Sequence, residues 1–269
     1  MVSPRLVAKI ESEEPTLRLA VLIDADNAQA VVIEGLLAEI ARFGEATVKR
    51  IYGDFTVQAS ASWKKVLQKY AIKPVQQFAY TTGKNATDSA LIIDAMDLLY
   101  TRKFDGFCLI TSDSDFTCLA MRLREEGLMV MGFGQNKTPN AFRNACHKFV
   151  FTEILRPSTA GESIELLPEA KTKKVSAPAQ MPTKVIEQKI QFPKETVLTA
   201  LKQSVDDRGW AGLGAFGSYL TKLQPDFDSK LYGYKKLSDL VKAKTNLFIT
   251  EERQVPGSNQ KALYLRAKA

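Results

Sequence analysis

The chain has 269 residues, of which 45% are apolar, and a formal net charge of +7 at pH 7. This length and apolar content predict a globular protein with one large or two modest domains. The first residues contain no apolar signal region, and no later segment approaches the about 20 apolar residues of a membrane span. We therefore expect a protein that is neither exported nor inserted into a membrane.

The positive charge lies in the second half of the chain. Residues 1–155 contain 18 Lys and Arg against 18 Asp and Glu, whereas residues 156–269 contain 19 against 12. A basic half suits a polyanion, such as nucleic acid or an acidic membrane surface, and it equally suits a role in solubility alone. The three cysteines form no CxxC pair, which argues against disulfides and thiolate zinc sites and predicts a cytoplasmic location.

Short β-rich apolar runs alternate with segments of helical period between residues 19 and 155. The predicted strands are LAVLID, ATVKRIYG, IKPVQQ, FCLITS, LMVMGFG and KFVFTE. Four of the segments between them carry apolar residues at intervals of three and four, which is typical of helices packed on a sheet. This alternation indicates βαβ units and a parallel sheet. We predict one doubly wound α/β domain over residues 17–155.

The rest of the chain divides into a linker and a small domain. Residues 156–191 are rich in Pro, Ser, Ala and Lys without a sustained period, which predicts a flexible linker that lets its flanking domains sit together or apart. Three amphipathic helices and a terminal hairpin around PGSNQ follow. We predict a winged-helix domain over residues 192–269.

Several acids of the first domain fall where catalytic groups of α/β sheets lie, at the carboxyl ends of strands. Asp24 ends LAVLID, Asp113 and Asp115 follow FCLIT, and Asp88 lies in the first turn of the helix opened by NATD. The hypothesis is that these four carboxylates converge on one or two Mg²⁺ or Mn²⁺ ions, which prefer oxygen ligands. The alternative is that they are turn and N-cap residues. Asn27 either orients a ligand or caps the next helix.

Other chemistries fit the sequence less well. His147, the only histidine, lies inside the apolar CHKFVF and is expected to be a packed core or edge residue rather than a catalytic base. TTGKNATD lacks the first glycine and the Ser or Thr of a P-loop. Lys84 within it remains a candidate phosphate contact. Asp94 and Asp97, further along the helix of Asp88, are expected to be solvated.

The ordered motifs LIDADN, GKNATDSALIIDA, ITSDSDF and FGQNKTPNAFRNACHKF resemble the NYN domain of the PIN-like nuclease superfamily. The resemblance covers about residues 17–155 and implies a three-layer α/β/α fold and metal-dependent cleavage of RNA. It implies catalytic roles for Asp24, Asp88 and Asp113, with Asp115 and Asn27 close by. Ser112 stands where many relatives have glycine.

The segment GWAGLGAFGSYLTKLQPDFDSKLYGYKKLSDLVKA is similar to the LOTUS domain, also called OST-HTH, over about residues 193–266. This resemblance implies binding of RNA, including structured G-rich RNA, and in some branches of protein partners. Tyr234 either stacks on bases or packs in the core. The candidate phosphate contacts of this domain, which otherwise form a solvated face, are Lys222, Lys230, Lys235, Lys236, Lys242, Lys244 and Lys261.

Together these observations predict a metal-dependent endoribonuclease with a tethered RNA-binding module. We expect Mg²⁺ or Mn²⁺ as cofactor, single-stranded or structured G-rich RNA as partner, and no membrane contact; homo-oligomers remain open. The alternative is a catalytically inactive adaptor that recruits RNA or protein partners. A phosphatase with Asp24 as nucleophile ranks last. DAD is similar to the haloacid dehalogenase signature, but that family expects Thr or Val at Ala28.

Overall fold

A computed structural model describes residues 16–57, 62–78, 86–156, 192–254 and 261–268. Lys84 and all but the first residue of the predicted linker lie outside these ranges. Of the helices in the described ranges, none is both long and apolar enough to cross a bilayer. The first domain alternates strands and helices in the order β1 (Leu17–Asp24), α1 (Ile33–Ile40), β2 (Gly44–Gly53), α2 (Trp63–Tyr70), β3 (Lys73–Gln76), α3 (Ala86–Tyr100), β4 (Gly106–Ile110), α4 (Thr117–Glu125), β5 (Met129–Gly134), α5 (Asn140–Ala145) and β6 (Lys148–Phe151).

The six strands form one sheet in the order β3-β2-β1-β4-β5-β6. All five pairings are parallel, which confirms the predicted α/β class. The chain moves outward from β1 to β3 and then crosses back to β4, so the strand order reverses between β1 and β4. Ligands of open α/β sheets bind outside the carboxyl ends of the strands at such a reversal.

Two hydrophobic cores cover the two faces of this sheet, which gives the three-layer architecture that the resemblance implied. Alternate residues of β1 divide between them, because successive side chains of a strand point to opposite faces. Ala20 and Leu22 pack in the core with α3, α4 and α5, whereas Leu19, Val21 and Ile23 pack in the core with α1 and α2. Burial on both faces explains why β1 and β4 appear in the sequence as continuous apolar runs.

The second domain has its own small core and contains α6 (Lys194–Ser204), β7 (Ala211–Gly212), α7 (Leu213–Leu223), α8 (Leu237–Ala243), β8 (Phe248–Gln254) and β9 (Lys261–Ala267). Its sheet is antiparallel, in the order β7-β9-β8. The three helices and the hairpin match the predicted winged-helix arrangement. The short β7 is too brief to produce a pattern in the sequence. The core centres on Leu201, Phe216, Leu240 and Leu265.

The second domain lies against the β6 edge of the first. The Phe149 N–H of β6 donates to the Pro225 carbonyl at 2.8 Å, which satisfies a donor that an edge strand would otherwise expose. Next to it, Arg143 forms an ion pair with Asp226 at 2.6 Å, and the two side chains are only 20% and 14% exposed. These contacts hold the domains together in this structure.

Candidate active site

Asp24 is the buried centre of the acidic cluster at the carboxyl ends of β1 and β4. Its side chain is closed off from solvent, and its Oδ2 accepts hydrogen bonds from Asn27 Nδ2 and Thr111 Oγ1, each at 2.8 Å. Its Oδ1 accepts from the Asp26 N–H at 3.0 Å. Burial raises the pKa of Asp24 above its usual value, and these three hydrogen bonds oppose that rise without cancelling it.

Thr111 connects the segment after β4 to Asp24. Its N–H donates to the Phe133 carbonyl at 2.9 Å, which holds the backbone beside β5. Its hydroxyl accepts from the Asp113 N–H at 3.1 Å and donates to Asp24. Nothing in the sequence distinguishes this threonine from an ordinary strand residue, and the sequence analysis missed it.

Asp113 is both an N-cap residue and a member of the acidic cluster, the two roles that the sequence allowed. Its Oδ1 accepts from the Asp115 N–H at 2.9 Å, so it caps a short 3-10 helix over residues 114–116. The same bond helps to orient the Asp113 carboxylate at the end of β4. Asp115 itself is exposed at the rim.

Asp88 lies in the first turn of α3 and is partly buried. Its pKa is raised from 3.8 to about 6, first by burial and then by the negative charges of Asp24, Asp113, Asp115 and Asp26. Each of these acids therefore lies within electrostatic range of Asp88. The structure brings together the carboxylates that the sequence analysis selected, together with Asp26.

The cluster fits a hard divalent cation by its chemistry. Its donors are all oxygen atoms, which suit Mg²⁺ or Mn²⁺ rather than zinc, and its negative charges add to the effect of burial in raising the pKa of Asp88. Across the described ranges, no three Asp, Glu, His or Cys side chains already stand in coordinating positions. The acids are thus close enough to repel one another, and ligation of a cation requires side-chain adjustment.

Asp94 is not solvated, so that expectation is wrong. It lies on α3, six residues after Asp88, and its carboxylate accepts hydrogen bonds from Arg50 and Tyr52 of β2. The side chains of Arg50 and Asp94 are only 24% and 21% exposed. The resulting network fixes α3, and with it Asp88, to the sheet.

The basic residues of the second domain occupy different environments. Lys230 reaches Glu39 of the first domain at 3.4 Å, Lys242 pairs with Glu252 at 2.7 Å, and the Lys244 ammonium lies 4.9 Å from the centre of a phenylalanine ring. Tyr234 packs partly buried against the core. The candidates whose side chains are exposed to solvent include Lys222, Lys235, Lys236 and Lys261.

Replacing Thr111 by valine is expected to destabilise the protein by about 1–3 kcal/mol, because Asp24 and the Asp113 N–H each lose a buried partner. The pKa of Asp24 should rise further, so any activity that needs its carboxylate should shift to higher pH. Urea denaturation and a pH–rate profile measure these effects. Thr47→Val, at an exposed strand position, is the matched control. An unchanged pH profile in Thr111→Val would show that the hydroxyl does not support Asp24.

Comparison with known proteins agrees with this geometry. The sequence matches the NYN domain family over residues 18–155 and the OST-HTH/LOTUS domain family over residues 188–259. No curated protein matches the chain significantly.

Two solved structures are similar to parts of the chain. The solution NMR structure of an uncharacterized protein from Nitrosomonas europaea is 66% identical and covers 38% of this chain and 93% of that one, with a TM-score of 0.29. The crystal structure of a protein of unknown function from Vibrio parahaemolyticus is 14% identical and covers 51% and 94%, with a TM-score of 0.43. Neither superposition is close enough to support an argument about this chain.

The assignment therefore rests on the two domain families. The first match covers about half of the chain and contains the whole acidic cluster, from Asp24 to Asp115. The chain belongs to the NYN domain family of the PIN-like nuclease superfamily and carries an OST-HTH/LOTUS domain after it.

Proposed function

We propose that this protein is a metal-dependent endoribonuclease whose OST-HTH/LOTUS domain binds the RNA. The observation that carries the proposal is the raised pKa of Asp88, about 6, caused by burial and by four neighbouring carboxylates at the reversal of the strand order. A fold gains no stability from crowding acids in this way. Perturbed carboxylates in such a position are typical of functional sites.

Asp24, Asp88 and Asp113 would hold Mg²⁺ or Mn²⁺, with Asp115 at the rim. When bound, the ion supplies Lewis-acid stabilisation of the phosphate and a hydroxide at neutral pH. The chain's own contribution is orientation: Asn27 and Thr111 fix the Asp24 carboxylate, and the Asp115 N–H fixes that of Asp113. With a pKa of about 6, Asp88 is mainly ionised at pH 7 and becomes protonated, and so a poor ligand, in more acidic solution.

The test is cleavage of a labelled single-stranded RNA by the full chain with Mn²⁺. We expect cleavage to disappear in EDTA and to fall at least about 100-fold in Asp113→Asn, because a weakened metal site loses the electrostatic stabilisation that the ion gives to the transition state. Asp97→Asn makes the same change of charge at an exposed position of α3 and should cleave normally. Cleavage that persists in both EDTA and Asp113→Asn would reject the proposal.

The second candidate is an adaptor that binds RNA or protein partners without cleaving RNA. It is favoured by the OST-HTH/LOTUS domain, which provides a binding module whether or not the first domain cleaves RNA. Binding of RNA without cleavage, at any concentration of Mn²⁺ or Mg²⁺, would support the adaptor.

A further inference from the structure

A cleft of about 340 Å³ lies at the junction of the two domains, far along the sheet from β1. One wall comes from the end of α4 and the turn between α5 and β6, and the other from the end of α7. Among the described residues that line it, none is acidic, whereas Arg124, His147 and Lys222 are basic. A cleft lined by one sign of charge attracts ligands of the opposite sign.

The cleft is held in shape by the contacts between the domains. The Phe149 N–H to Pro225 hydrogen bond crosses the junction at 2.8 Å, and Pro225 also lines the cleft. The largely buried ion pair of Arg143 with Asp226 lies beside it. Because Asp226 is already paired, its charge is not available to neutralise the basic residues of the cleft.

Arg124 lines the cleft with its guanidinium group. One of its terminal nitrogens donates to the carbonyls of residues 144, 145 and 146 at 3.2–3.5 Å, which fixes the guanidinium at the end of α5. In the described part of the chain, its other nitrogens make no hydrogen bond. The planar fork of arginine can offer these remaining donors to a phosphate.

His147 presents a donor to the same cleft. Its Nδ1 accepts the Val130 N–H at 3.1 Å, so the neutral ring carries its proton on Nε2. The imidazole is therefore a donor at this position in both protonation states. Burial and the charge of Arg124 lower the pKa of His147, so the ring is neutral at pH 7.

Lys222 is the basic residue that the second domain contributes to the cleft. It is exposed on the last turn of α7, and its ammonium lies 5.8 Å from the centre of the Tyr219 ring. Arginine, lysine and Nε2-protonated histidine are all hydrogen-bond donors. A cleft lined by two cationic side chains and by no carboxylate among its described residues favours an oxyanion.

We propose that this cleft is a phosphate-binding site shared by the two domains, in which Arg124, His147 and Lys222 hold one phosphate of the RNA strand. The choice of RNA rests on the proposed function, and the chemistry itself equally suits a free phosphate. The site is complete only when the domains are docked. RNA bound there would therefore cross from one domain to the other over a fixed path.

The test measures RNA binding by the full chain in EDTA, where no metal-dependent cleavage interferes, with a short fluorescent single-stranded RNA. Lys222→Gln should weaken binding about fivefold at low salt and reduce the slope of log K against log salt by about 0.7, the value for one phosphate of a single strand. Lys202→Gln, on the exposed side of α6 and outside the cleft, is the matched control and should show neither effect. Equal behaviour of the two variants would overturn the proposal.

A double variant tests whether the two domains share one phosphate. Arg124→Gln and Lys222→Gln should each reduce the salt slope, and the double variant should reduce it no further, because a single phosphate is lost in every case. Slopes that add in the double variant would overturn the shared site. Since Arg124 also supports α5, the thermal stability of each variant is measured in parallel, and Lys222→Gln remains the decisive variant if Arg124→Gln unfolds.

His147 is the only histidine of the chain, so its imidazole signals can be identified in an NMR spectrum without assignment. These signals report on binding in the cleft. Addition of RNA in EDTA should move these signals in the wild type and much less in Lys222→Gln. A shift with millimolar inorganic phosphate and none with RNA would support the anion site and assign it to a free phosphate. No shift with either would overturn it. A shift with RNA in a protein that never cleaves RNA would leave this site standing and reject the proposed nuclease instead.

Discussion

Replacing Asp88 by asparagine is expected to raise the thermal stability of the metal-free protein at pH 7 by about 2–4 °C, while RNA cleavage falls at least about 100-fold. Burial and four carboxylates raise the pKa of Asp88 from 3.8 to about 6 in the folded protein. The folded state therefore binds this proton more tightly than the unfolded state. Protonation of Asp88 stabilises the folded protein fully below about pH 4. This stabilisation is lost as the pH rises through about 6 and is absent at pH 7. The shift in melting temperature is modest because Asp88 is partly exposed to solvent.

Asparagine keeps the size of the side chain and removes its charge, so the repulsion disappears together with the ligand. Melting temperatures measured between pH 4 and pH 8 should be similar near pH 4, separate as the pH rises from about 4 to about 6, and stay apart above that, with Asp88→Asn the more stable. Mn²⁺ should then raise the melting temperature of the wild type and leave that of Asp88→Asn nearly unchanged. Asp97→Asn, on the exposed face of the same helix, should behave as the wild type. A lower stability of Asp88→Asn at pH 7 would contradict the crowding of charge at this site.

The fold and the central acids were predictable because local signals determine them. Buried parallel strands require continuous apolar runs, so a polar residue that ends such a run marks the carboxyl edge of the sheet. Asp24 and Asp113 end two of these runs, and the crossover between β1 and β4 places them side by side. The apolar runs and the acids that end them are therefore sufficient to predict the α/β fold and the position of Asp24 and Asp113 at the carboxyl edge of the sheet.

The supporting residues were not predictable because their partners are distant in the chain. Thr111 gains its role from Asp24, 87 residues away, and Asp94 gains its role from Arg50, 44 residues away. The helical pattern of a sequence is the same whether an aspartate in it is solvated or is buried and paired. The junction of the domains depends in the same way on contacts such as Arg143 with Asp226, across 83 residues.

Replacing Asp94 by alanine is expected to destabilise the protein by about 2 kcal/mol, because the change leaves the half-buried Arg50 charge and the Tyr52 hydroxyl without their shared acceptor. Burial and the Asp94 carboxylate both raise the pKa of Tyr52, so the phenol remains a hydrogen-bond donor at every physiological pH. Tyr52→Phe removes one of the two bonds and should destabilise by about 1 kcal/mol. Urea denaturation of the full chain measures both changes. Asp97→Ala is the control, and it should lie within about 0.5 kcal/mol of the wild type.

The effect on function follows from the position of Asp94 on the helix that carries Asp88. With α3 held less firmly against β2, the Mn²⁺ concentration needed for half-maximal cleavage should rise in Asp94→Ala, whereas cleavage at saturating Mn²⁺ should change less, because Asp94 does not belong to the acidic cluster itself. Tyr52→Phe should shift the Mn²⁺ requirement in the same direction by a smaller amount. A variant that loses stability but keeps the wild-type Mn²⁺ requirement would show that the network of Arg50, Tyr52 and Asp94 supports the fold without positioning Asp88.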